Sequence, residues 1–145
     1  MTTRNFAIVA GVVFIVVGVL GFIPRLLTPA TGGPPLAVDQ GYGYLFGLFP
    51  VNILHSVVHL GIGVWGVLAA RTFGAPRTFA RSLAIIYGVL TVMGLIPGLN
   101  TVFGLIPLFG HDVWLHALTA IVAAYFGWGE RQVAGELTDR VRRAA

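Results

Sequence analysis

The sequence contains no cysteine and no lysine, and only 10% of its 145 residues are charged. The lack of cysteine excludes disulfides, thiolate metal sites and cysteine nucleophiles. An average soluble domain carries roughly 25% charged residues. At the charge density of this chain, a soluble fold could not cover its surface with polar groups. The composition therefore indicates a protein whose surface faces lipid.

Four apolar segments separated by proline, glycine and arginine make up most of the chain. Each is close to the length of about 20 residues that crosses a bilayer as a helix. We therefore predict an all-α fold, an integral membrane four-helix bundle formed by residues 1–129. The predicted spans cover about residues 6–23, 51–70, 79–96 and 113–128. Residues 130–145 are predicted to form a cytoplasmic amphipathic tail, with an apolar residue every fourth position.

The arginines are distributed unevenly about the predicted spans. One side has the N-terminus, the link between spans two and three, and the tail, and it holds eight of the nine arginines: Arg4, Arg71, Arg77, Arg81, Arg131, Arg140, Arg142 and Arg143. The opposite side holds only Arg25. Because basic residues favour the cytoplasmic side, both termini are predicted inside, in a bacterial inner membrane. The net charge of +4 then reflects orientation and contact with the bilayer, not nucleic-acid binding.

The two halves of the chain carry similar segments. FGLFP at residues 46–50 precedes the second span, and FGLIP at residues 103–107 precedes the fourth. Within those spans His55 and Gly66 match His116 and Gly127. We expect two related hairpins about an axis along the membrane normal, with spans two and four facing each other or in equivalent corners. The two FGLxP segments should cap the outer end of the bundle, and residues 31–35 should be irregular.

Polar residues cluster where spans two and four begin. Asn52 and Asp112 stand at helix starts, where their side-chain oxygens can accept from free backbone N–H groups, so both are predicted N-caps. His111, beside Asp112, is grouped with them as a structural cap. His55 and His59 are four residues apart and share one helical face. His116 could approach them from the related hairpin.

Three interpretations of His55, His59 and His116 are open. In the structural interpretation, which we favour, the imidazoles donate hydrogen bonds to carbonyls of the capping loops. They could instead bind a divalent metal or a haem, since neutral imidazole suits zinc, copper and haem iron. Proton or ion traffic is the third interpretation, but the span centres offer too few polar residues for a continuous path. No cofactor is predicted under the favoured interpretation.

No catalytic set is recognisable. Ser56 neighbours His55, but adjacent helical residues point about 100° apart. We therefore predict a non-enzymatic membrane protein, either a self-contained bundle or an accessory subunit of a larger membrane complex or homo-oligomer. The alternatives are a haem- or metal-binding redox protein and a minor transporter.

The segments LFGLFPVNILH at residues 45–55 and GHDVWLH at residues 110–116 resemble a domain-of-unknown-function family of small four-helix bacterial membrane proteins. The resemblance covers nearly the whole chain and implies the same four-span fold, without an activity. The chain is also more loosely similar to the DoxX-like group of four-helix proteins, some of which are linked to quinone or thiol redox.

Overall fold

The computed structural model describes residues 1–129, which form four helices and one small sheet. The helices are α1 (Thr3–Leu20), α2 (Ile53–Ala69), α3 (Ala75–Leu95) and α4 (His111–Ala124), and α4 continues as a π-helical turn over Tyr125–Gly129. The four predicted helices are confirmed, with ends that differ from the prediction by a few residues. The predicted tail, residues 130–145, lies outside the described residues.

Two of the helices in the described part of the chain, α1 and α3, are long and apolar enough to cross a bilayer. Helix α2 is also apolar but has 17 residues. Helix α3 begins at Ala75, earlier than predicted, because Gly74 adopts a φ of 82° and Pro76 is placed in the first turn. Proline is tolerated there because the first backbone N–H groups of a helix have no intrahelical partner.

The long loop between α1 and α2 contains a three-stranded antiparallel sheet. Its strands are β1 (Leu27–Pro29), β2 (Gly43–Leu45) and β3 (Phe49–Val51), in the order β1-β2-β3. Leu27 pairs with Leu45, and Gly43 pairs with Val51. The all-α prediction is wrong for this loop, because strands of three residues are too short to show an alternating pattern. Residues 31–35 are irregular, as predicted.

Helix α1 packs mainly against α2, and α3 packs mainly against α4. The two hairpins meet through α1 and α3, whose facing side chains include Phe6 and Phe79, with ring centroids 6.5 Å apart. Helices α2 and α4 make little direct contact along their length, and their predicted equivalence stays a prediction. They approach each other at their N-terminal ends, where the His55 and His116 rings are 6.3 Å apart.

The two FGLxP segments begin with the same unusual backbone conformation. Phe46 and Gly47 have φ angles of 54° and 74°, and Phe103 and Gly104 have φ angles of 58° and 86°. A phenylalanine with a positive φ is uncommon, so its occurrence at both matching positions is specific. Each segment ends in a fully buried proline, Pro50 or Pro107. This shared geometry turns each loop back over the N-terminal end of the following helix.

Candidate functional site

Four polar side chains meet at the N-terminal ends of α2 and α4. His55 and His59 lie one turn apart on α2, and Asp112 and His116 lie one turn apart on α4. All four are buried, with His55 4%, Asp112 3% and His116 3% exposed. Burial of this kind is costly unless each polar group has a partner. The two pairs therefore form one cluster that joins the two hairpins.

His55, Asp112 and His116 are the closest members of this cluster. Each offers one ligand atom, and the three atoms lie within 4.8 Å of one another. His55 Nδ1 is 3.8 Å from Asp112 Oδ2. Among the described residues, none donates to or accepts from His55 Nδ1, Asp112 Oδ2 or His116 Nδ1. Three buried side chains thus bring one ligand atom each close together, and each has a polar atom without a hydrogen-bond partner in the described structure, an arrangement that a metal ion would satisfy.

His59 belongs to the cluster but not to this triad. Its ring is 4.6 Å from that of His55 and 5.3 Å from that of Phe14, both edge-on. Its Nε2 is buried and has no hydrogen-bond partner within residues 1–129. The sequence predicted His55, His59 and His116 as the metal set, whereas the geometry brings Asp112 into the place of His59.

The prediction that Asp112 caps α4 is wrong. Gly110, with a φ of 67°, is the N-cap, and no side chain caps this helix start. Because the helix begins earlier than predicted, Asp112 lies inside the first turn and faces His55. His111 is not a structural cap either, since it is the exposed first residue of α4, 6.3 Å from the Phe49 ring.

Asn52 is the N-cap of α2, as predicted. Its side-chain oxygen accepts from the backbone N–H of His55 at 2.9 Å. Its amide nitrogen also donates to the carbonyls of Val38 and Leu105, at 2.8 and 2.7 Å. This completely buried side chain therefore joins α2 to both outer loops. The sequence did not reveal the last two bonds, because they depend on how the loops fold back.

The predicted structural interpretation of the histidines holds only in part. The His55 ring makes a hydrogen bond to the backbone of Pro50, which belongs to the first FGLxP segment. His116 instead packs edge-on against the Tyr87 ring at 5.0 Å, and its Nδ1 is unpartnered in the described structure. A hydrogen bond to the capping loop therefore satisfies one atom of His55, and the unpartnered atoms of His55, Asp112 and His116 still lack a partner in the described structure.

A cleft of about 300 Å³ leads from this cluster along the gap between α1 and α4. Its walls are apolar and mostly aliphatic, with Val9 and Val13 on one side and Leu115 and Leu118 on the other. Its polar lining comes from the cluster, which contributes His59, Asp112 and His116, together with Tyr87 and Thr119. The rim valines and leucines are exposed, so the cleft opens sideways on the bundle.

The family match agrees with this fold. Residues 4–129 match the family described as Domain of unknown function (DUF4383). The chain belongs to this family. No curated protein and no solved structure matches the chain. Membership covers all four helices and the whole cluster, and the looser similarity to the DoxX-like group stays a prediction.

Asp112 is the member of the triad whose role the sequence analysis missed. Its position before an apolar span was interpreted as a capping signal. The spacing of Asp112 and His116 equals that of His55 and His59, four residues, so each helix carries two potential ligands on one face. That matching spacing was the signal that could have identified it.

Proposed function

We propose that this protein crosses a bacterial inner membrane four times, with both termini in the cytoplasm. The apolar character of α1 and α3 supports this, as does the excess of arginine on one side. Large aliphatic side chains are also exposed on the outward faces of the helices, including Val13, Ile85, Val89 and Ile121. Contiguous apolar surface of this kind is unusual on a soluble monomer and is solvated well by lipid.

The four spans are proposed to be two related hairpins. The shared left-handed conformation of the FGLxP segments supports the relation. Ring contacts repeat as well: Phe6 stacks on Phe126 at 4.7 Å, and Phe79 packs edge-on against Trp65 at 5.1 Å. Trp65 and Phe126 stand ten residues after His55 and His116 respectively. The triad then lies where two equivalent helix starts converge.

The function we propose is the binding of one divalent transition-metal ion by His55, Asp112 and His116. The observation that carries it is the convergence of three buried side chains whose ligand atoms lie within 4.8 Å of one another, each side chain having a polar atom without a hydrogen-bond partner among the described residues. Leaving a buried polar atom unpartnered costs about 1–3 kcal/mol, so three in one space form a strained arrangement without an ion. Imidazole and carboxylate together suit zinc and neighbouring divalent metals.

The proposed role of the metal is structural and not enzymatic. His55 comes from the first hairpin, whereas Asp112 and His116 come from the second, so an ion would tie the hairpins together beneath the capping loops. This agrees with the expectation of a self-contained bundle. Our second proposal is that the protein is an accessory subunit of a larger membrane complex.

Haem binding and transport are less well supported. The Asp112 carboxylate stands within 4.8 Å of the ligand atoms of both His55 and His116, which leaves the space of an ion, not of a porphyrin. The charged and imidazole groups that line the cleft lie at one end of it, and the walls beyond them are mostly aliphatic. An ion crossing the bilayer would lack ligands along that path.

The test is metal analysis of the purified full-length protein. After chelation and reloading with Co²⁺, we expect one ion per chain, detected by elemental analysis and by visible absorption. Asp112→Asn and His116→Ala should weaken Co²⁺ binding at least about tenfold, since even indirect partners of metal ligands have effects of that size. His111→Ala is the matched control and should bind normally.

Two results would overturn the proposal. One is a wild-type protein that takes up no metal after reloading. The other is an Asp112→Asn variant that binds Co²⁺ as tightly as the His111→Ala control.

A further inference from the structure

The cleft between α1 and α4 has the histidine cluster at one end and Phe6, which stacks on Phe126 at 4.7 Å, at the other. Between these ends its walls are mostly aliphatic, and α1 and α4 make little direct contact. Val13 is 53% exposed and Leu118 is 58% exposed, so both walls are open to the surroundings. In a bilayer this opening would face the acyl chains.

The shape of the cleft favours a single-chain amphiphile. Its lining on α4 runs from Asp112 to Val122, about 15 Å at the rise of a helix. The apolar walls could hold one unbranched chain, while the His59, Asp112 and His116 end would receive a polar head. A transmembrane helix of a partner would be too wide for a 300 Å³ space and would leave the polar end unfilled.

The charge of the polar end favours an anionic head group. This step rests on the proposed metal site. A divalent ion bound by two neutral imidazoles and one carboxylate leaves a net charge of +1, and three protein ligands leave at least one coordination position open. Asp112 and His116 line the cleft, so that position is reached from it. A carboxylate would fill the position and neutralise the charge.

We propose that the cleft binds a long-chain carboxylate, a free fatty acid, whose head group coordinates the metal and whose chain lies between α1 and α4. The binding step is ligation only, and no covalent bond forms or breaks. The bound chain would also cover the valines and leucines of the two cleft walls.

The test uses the Co²⁺-loaded full-length protein in detergent, because the visible absorption of Co²⁺ reports a change of its ligands. Adding palmitate should shift the spectrum with saturation at one equivalent. Hexadecanol, which has the chain without the carboxylate, and acetate, which has the carboxylate without the chain, should each require at least about tenfold higher concentration, a difference of about 1.4 kcal/mol.

A second arm fills the cleft without touching the metal ligands. Val13→Trp should retain its Co²⁺ but raise the half-saturating palmitate concentration at least about tenfold. Val89→Trp is the matched control, since Val89 is 54% exposed on α3 and does not line the cleft. It should respond to palmitate as the wild type does.

The outcomes separate this inference from the proposed function. A Co²⁺-loaded protein whose spectrum ignores palmitate, or responds equally to hexadecanol or acetate, would overturn the fatty-acid site and leave the metal site standing. An undiminished response of Val13→Trp would also overturn it. Failure to bind Co²⁺ at all would overturn the metal site itself, and with it this inference.

Discussion

Asn52 is the residue at which α2 and both outer loops converge. It caps the helix through His55 N–H and donates to carbonyls at Val38 and Leu105, which are far apart in the sequence. All three bonds are made by one completely buried amide. The loops therefore depend on a single side chain for their position above the histidine cluster.

Asn52→Ala should lower the free energy of unfolding by about 2–4 kcal/mol, because it removes a helix cap and leaves two buried carbonyls without their donor. Asn52→Asp keeps the capping oxygen but turns a second carboxylate oxygen towards the two buried carbonyls, so repulsion should make its loss of stability at least as large as that of Asn52→Ala. Unfolding by denaturing detergent, followed by circular dichroism, measures both. Equal stability of Asn52→Ala and wild type would contradict the role assigned here.

His59 provides a test of which side chains form the metal set. Because its ligand atoms lie outside the triad of His55, Asp112 and His116, His59→Ala should still bind one Co²⁺ per chain. His55→Ala, one turn earlier on the same helix, should lose the ion. Elemental analysis of the two variants, purified side by side, decides the matter. Loss of metal in His59→Ala would restore the set predicted from the sequence.

At the scale of elements, the helices could be predicted because each is a long apolar segment bounded by proline, glycine or arginine. The sheet could not, since three-residue strands such as β2 leave no periodic signal. The start of α4 was misplaced for a similar reason. Gly110 is the N-cap because its φ is 67°. The presence of a glycine does not by itself predict that conformation.

The glycines in the helices differ in how much space the structure leaves for a side chain. A Cβ added at Gly63 would lie 2.7 Å from both the Gly11 carbonyl oxygen and the Ile15 nitrogen, which are backbone atoms of α1. One added at Gly61 would meet nothing within 4 Å. Gly88 of α3 likewise has nothing within 4 Å of an added Cβ. Helical spacing alone does not say which glycine meets a neighbour.

Gly63→Ala should destabilise the protein by about 1–3 kcal/mol, because α1 and α2 would have to separate. Gly61→Ala should be neutral or stabilise it by up to about 1 kcal/mol, since alanine is the better helix former. The same detergent unfolding experiment compares the two variants. If both substitutions changed stability equally, the close approach of the α1 backbone to Gly63 would not limit the size of the residue at this position.

At the scale of the whole molecule, the candidate site depends on how the hairpins pack. The sequence placed His55 and His116 near the same end of the bundle, since each lies in the first turns of a span. It could not give their separation, which follows from contacts between α1 and α3 that bring the second hairpin against the first. It also could not show the cleft, because that is a gap between elements remote in sequence.

The molecule has an arginine-rich end and a histidine-rich end, and their orientation in the membrane can be tested directly. The chain has no cysteine, so single introduced thiols give an unambiguous signal. Thr31 is exposed in the long loop near Arg25, and Thr72 is exposed beside Arg71. With arginine favouring the cytoplasm, a membrane-impermeant maleimide added to intact cells should label Thr31→Cys and not Thr72→Cys.

Ala145→Cys extends the experiment to the C-terminus, which should be protected in intact cells and labelled only after the membrane is permeabilised. Permeabilisation should also expose Thr72→Cys, which confirms that its thiol reacts. Labelling of Thr72→Cys from outside, with Thr31→Cys protected, would reverse the orientation. The histidine cluster and the polar end of the cleft would then lie at the cytoplasmic face, and the proposed metal would be drawn from the cytoplasm instead of the outer compartment.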